Sequence, residues 1–113
     1  MVSFGQALTD AKQPAHDAAT YWQRQTDALA SVSGPVATLH LGALRHNALD
    51  MAVRAAGVPI RVASKSVRVR EAIDATLALP GYAGILAFTL PEALWLAQTR
   101  DDVVLGYPTV DRG

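Results

Sequence analysis

One lysine stands where a reactive amine would be useful. The run PIRVASKS (59–66) sets the β-prone residues Ile60–Ala63 directly ahead of Ser64-Lys65-Ser66. If that strand is parallel to its neighbours, Lys65 falls at its carboxyl end, where α/β folds of both the open and the barrel kind present reactive groups. An ammonium in the mouth of such a fold is costly unless it is paired or deprotonated. The neutral amine is the form that condenses with a carbonyl to an imine. The alternative is a solvated loop lysine between two serines. Arg61, alternating with the apolar residues of the same strand, could face the interior beside a ring nitrogen or a phosphate, or could pair with a neighbouring carboxylate. Tyr107, near the end of a later strand, could stack on or bond to a ligand, or simply pack.

Other chemistries find less support. The chain has no cysteine, which excludes disulfides, thiolate nucleophiles and Cys-based zinc sites. His40 and His46 match no familiar two-histidine metal spacing and are expected on a strand or helix surface, and His16 on the surface. No metal site is expected in these residues. Gly34, Gly42, Gly57, Gly81 and Gly84 assemble neither G-x-G-x-x-G nor a P-loop. Trp22 and Trp95 fall on expected helices, as core residues.

The elements that would position Lys65 follow from periodicity. Residues 3–31 read as helical, interrupted near Pro14. Phe4, Leu8 and Ala11 share one face of the first part, and Ala18, Tyr21, Trp22 and Leu29 are the apolar positions of the second. After the turn at 31–35, a strand is expected at Val36–Leu41, a helix at Ala43–Ala56 closed by Gly57, the strand Ile60–Ala63, and a helix at Arg68–Leu79 stopped by Pro80-Gly81. On these helices Leu44, Ala48, Met51, Ala52 and Ala55, then Val69, Ala72, Ile73, Thr76 and Leu77, are expected to face inward. A third strand is expected at Gly84–Phe88 and a fourth at Val103–Tyr107. Between them Thr89-Leu90-Pro91-Glu92 has the form of a capping box, opening a helix that runs to about Gln98.

Strands alternating with helices point to a parallel sheet with right-handed crossovers. Near-continuous apolar strands fit a sheet covered on both faces. Two architectures accommodate the pattern: a doubly wound open sheet, or the first half of a (β/α)8 barrel, a fold that takes about 250 residues when complete. With 113 residues, ten basic against ten acidic side chains and no charged tail, the chain carries no electrostatic footprint for nucleic acid or an anionic membrane. No secretory signal and no bilayer-spanning run is evident, so a cytoplasmic location is expected.

Four stretches, LGALRHNALDM (41–51), PIRVASKSVRVREAI (59–73), GILAFTLPEALWLA (84–97) and DDVVLGYPTVDR (101–112), together resemble the start of the alanine-racemase-like N-terminal barrel of fold-type III pyridoxal 5'-phosphate enzymes. The nearest branch is that of D-threonine aldolase and D-serine dehydratase, and within it the bacterial amino acid deaminase/aldolase set. The resemblance implies an N-terminal helical segment over 1–34 and a partial barrel over 35–113. It implies a small-molecule substrate that is a D-amino acid or β-hydroxy amino acid, cleaved or deaminated. Lys65 occupies the place of the lysine that holds the cofactor as an imine, and Arg61 that of an arginine near the cofactor. The branch commonly has a histidine where Ala63 stands and an Asp-Leu-Asp pattern where this chain reads His40-Leu41-Gly42, so the substrate stays open. The resemblance further implies a homodimer and a divalent metal held by residues of a later half of the protein. Ala63-Ser64-Lys65-Ser66 also echoes the strand end of pyridoxal phosphate homeostasis proteins, which bind without turnover. These 113 residues, as half a barrel, are expected to be inactive alone, either as part of a longer enzyme or as a gene fragment that associates through an exposed sheet edge.

Overall fold

The computed structural model describes residues 1–12, 17–110 and 112. Pro14 and His16 therefore lie outside the described residues. The order of elements is α1 (Phe4–Asp10), α2 (Ala18–Leu29), α3 (Leu41–Arg54), β1 (Ile60–Ala63), a 3-10 turn (Ser64–Ser66), α4 (Arg70–Leu77), β2 (Tyr82–Ala87), α5 (Leu90–Ala97) and β3 (Val103–Leu105). The fold is mixed α/β with one parallel sheet in the order β1-β2-β3.

Three strands form among the described residues, not four. The expected strand at Val36–Leu41 has no regular structure up to His40, makes no ladder among the described residues, and runs into α3 at Leu41. Val36 and Leu39 are each 47% exposed, so no burial draws this run onto the sheet. β-propensity is a preference for a half-buried pleated surface, and without a neighbour to pair with it does not make a strand. His40 instead caps α3, its Nδ1 accepting from the Ala43 amide at 3.0 Å.

The sheet has two unlike faces. Val62, Ile85 and Ala87 point to one side, where they join Ile73 of α4 and Ala93 and Leu96 of α5 in the core, with Val103 and Leu105 packed against them. Successive strand residues point to opposite faces, so Arg61, Ala63, Gly84, Leu86 and Val104 lie on the other side. Among the described residues no helix covers that side: Leu86 is 39% and Val104 43% exposed. The expectation of cover on both faces holds for one face only.

Local signals set several boundaries. Thr89 caps α5, its Oγ1 accepting from the Glu92 amide at 3.4 Å. Glu92 returns a bond one residue earlier than the usual box, accepting from the Phe88 amide at 3.1 Å. α3 ends at Arg54, and Gly57 follows with φ +90°, a left-handed conformation that costs glycine little.

Several expected core positions are not core. Trp22 is 66% exposed, and α2 buries no residue. Met51 and Val69 are also exposed. Trp95 lies on the α5 surface under the Arg70 guanidinium, 3.8 Å from ring centroid to Cζ, and Arg70 also donates to the Trp95 carbonyl at 3.0 Å. This clamp ties α4 to α5 and uses the ring as a flat partner for a cation. α1 packs on α3 and α4 through the buried Leu8, so this helix belongs to the body of the fold.

Candidate functional site

The carboxyl ends of β1, β2 and β3 meet around Lys65. β1 spans Ile60–Ala63, as its sequence predicts, and a 3-10 turn follows at once. Ser64 is buried, and its hydroxyl donates to the Leu86 carbonyl at 3.4 Å, pinning the turn to β2. Val67 closes the turn with an amide bond to the Ser64 carbonyl at 3.1 Å. Lys65 is thereby set at the strand end with its Nζ 5.5 Å from the centre of the Phe88 ring.

Phe88 is the first residue beyond β2, and its amide is held by Glu92, so the first turn of α5 fixes the ring's point of attachment. Tyr107 meets that ring edge-to-face, with centroids 5.3 Å apart and planes at 80°. Gly106 sets Tyr107 beside β2, its amide donating to the Ala87 carbonyl at 3.0 Å. Lys65, Phe88 and Tyr107, with Ala63, Leu86 and Gly106, line a cleft of about 240 Å³ on the helix-free face. An amine beside the Phe88 ring, with Tyr107 packed against that ring, can hold a flat ligand with a carbonyl or an anionic substituent.

Lys65 is exposed, not withdrawn from water in the mouth of the fold. Tyr107 is 60% exposed and reaches the cleft, as a ligand-stacking position requires.

Arg61 does not line this cleft. It lies two residues upstream of Ala63 on the same face, and its Nη1 donates to Asp102 Oδ1 at 2.6 Å. The carboxylate partner is the second of the two roles its strand position allows. The pair crosses β2 at Gly84, which has φ +76° and lies within a register shift between β1 and β2. A side chain at Gly84 would overlap both the guanidinium and the carboxylate.

Phe88 and Gly106 were not singled out by residue type. The signal for Phe88 was its place at a strand's carboxyl end, and for Gly106 a small residue directly before an aromatic one. Among the described residues no group of three or more His, Cys, Asp or Glu could hold a metal ion, and no helix is long and apolar enough to cross a membrane. Comparison with protein-family models, with curated proteins and with solved structures found no match for the chain.

Proposed function

We propose that Lys65 is the attachment point for pyridoxal phosphate in an enzyme of amino acid cleavage or deamination, acting on D-amino acids or β-hydroxy amino acids, whose strands β1–β3 belong to an alanine-racemase-like (β/α)8 barrel. The observation that carries this reading is the junction of Lys65, Phe88 and Tyr107 in one cleft at the carboxyl ends of a parallel sheet.

The residues present fit one part of that cofactor. Lys65 offers a primary amine with no carboxylate partner among the described residues, and the packed rings of Phe88 and Tyr107 form an aromatic wall beside it. A cleft of about 240 Å³ is below the roughly 300–1,000 Å³ of ordinary ligand pockets, so it accommodates a ring but not a ring with its substrate and phosphate. Among the described residues Lys65 is the one cation lining it, and phosphate donors would come from other parts of the barrel. When bound, pyridoxal phosphate supplies an electron sink for cleavage at the substrate Cα. Lys65 would yield its place to the substrate amine and then, as a free amine, carry a proton to or from Cα. Phe88 and Tyr107 would orient the ring. Arg61, tied to Asp102 beneath Ala63, would brace the floor without touching the cofactor.

The exposure of Lys65 favours a second reading, binding without turnover, because nothing in the cleft keeps water from a C=N bond.

The chain has two lysines, Lys12 and Lys65, which makes the test internal. Pyridoxal phosphate is added, the imine is reduced with borohydride, and the labelled peptide is identified by mass. Label on Lys65 well above that on the amino terminus, retained in Lys12→Ala and lost in Lys65→Ala, supports the assignment. Label on Lys65 no greater than on the amino terminus sinks it. Turnover of a β-hydroxy amino acid, assayed as aldehyde release, would establish the enzymatic reading over the binding one.

A further inference from the structure

We infer that a second cleft, between the end of α1 and the outer face of α3, binds a small organic anion, with its phosphate or carboxylate head on Lys12, Arg45 and His46 and its apolar part along Leu49 and Val53. The cleft has a volume of about 460 Å³, within the range of ordinary ligand pockets, and it lies apart from the Lys65 site.

Its lining is polarised along the helix. Positions 42, 45, 46, 49, 50 and 53 form one face of α3, at the three- and four-residue spacing that stacks side chains. The basic groups gather at the amino-terminal end of that face. Arg45 and His46 come from α3, and Lys12 comes from the chain leaving α1. Gly42 fixes the junction, because the Lys12 carbonyl fills the space its Cβ would take. Among the described residues the carboxylate on the wall is Asp50, already held by Arg54 at 2.8 Å, which leaves Lys12 and Arg45 without a counter-charge there. The apolar residues Leu49 and Val53 lie towards the carboxyl end.

Arg45 shows what this end is suited to receive. Its Nε is the buried side-chain nitrogen or oxygen atom left without a hydrogen-bond partner among the described residues. A guanidinium donor withdrawn from water is unfavourable unless an acceptor meets it. Nε itself is sealed from solvent, so an oxyanion in the cleft would meet the terminal nitrogens of the planar fork, whose geometry matches phosphate and carboxylate. The positive end of the α3 dipole adds to the attraction. A cationic ligand would be repelled by these basic groups.

The test is a titration of the full chain followed by amide and arginine Nε–H resonances, using hexyl phosphate, inorganic phosphate and hexanol as probes. None carries an aldehyde, so the outcome is independent of any reaction at Lys65. Hexyl phosphate is expected to give saturable shifts at Lys12, Gly42, Arg45 and His46 and to bind about tenfold tighter than inorganic phosphate, the gain from burying roughly two methylene groups. Arg45→Met and Lys12→Ala are each expected to weaken it about tenfold by removing a charged contact. Lys12 is exposed, so Lys12→Ala decides the question if the Arg45 variant does not fold. Non-saturating shifts, unchanged affinity in Lys12→Ala, or hexanol binding as tightly would overturn the anion site. Equal affinity for inorganic and hexyl phosphate would overturn the organic part of the assignment.

Discussion

Replacing Gly84 by alanine probes the sheet beneath the Lys65 cleft. Gly84 has φ +76°, where an L-residue pays roughly 1–2 kcal/mol for its Cβ. The new methyl would also overlap Arg61 Nη1 and the Asp102 carboxylate, forcing the 2.6 Å pair apart. The side chains of that pair are 39% and 57% exposed, so breaking it adds only about 0–1 kcal/mol. The sum is about 2 kcal/mol. At roughly 4 °C per kcal/mol for a domain of this size, Tm should fall by about 8 °C. Thermal unfolding followed by circular dichroism measures this directly. A double-mutant cycle then separates the two parts: in an Asp102→Ala background Gly84→Ala should cost about 0.5–1 kcal/mol less, because half of the obstruction is gone while the backbone strain remains. A Tm within about 2 °C of the parent, or strictly additive effects, would refute the claim that the ion pair crosses the sheet over this glycine.

Tyr82 offers a pH-dependent test. Its hydroxyl donates to the Ala48 carbonyl at 2.8 Å, and burial raises its pKa above the ordinary value near 10. A raised folded-state pKa stabilises the fold fully below the unfolded value and is lost as pH climbs through the folded one. Urea midpoints should therefore show Tyr82→Phe less stable by about 1 kcal/mol at neutral pH, with the gap closing above about pH 10. Thr89→Ala removes the α5 cap and should cost about 1 kcal/mol by denaturant titration. An unchanged midpoint would mean that the Glu92–Phe88 bond alone holds this helix start.

The signals legible in the chain were short-range ones. The β-prone run Ile60–Ala63 and the Thr89–Glu92 capping box each act within a few residues, and both elements form where the pattern puts them. The fate of Val36–Leu41 was not legible, since its β tendency needs a paired neighbour and the structure supplies none. Trp22, Met51, Val69 and Trp95 were misread for a related reason: periodicity marks an apolar face, but only the arrangement of other elements says whether something covers it.

What the sequence alone determined is that a lysine follows a strand in a βα-alternating chain. That is a matter of backbone preference and order, which neighbouring residues decide among themselves. Only the tertiary structure decided what surrounds that lysine. Phe88 and Tyr107 arrive from two further strands, and Arg61 is turned to Asp102, 41 residues away, across a glycine that leaves room for the pair. Such contacts depend on parallel strands aligning so that one face buries its apolar side chains under α4 and α5. That burial leaves the opposite face, with the Lys65 cleft, open to solvent.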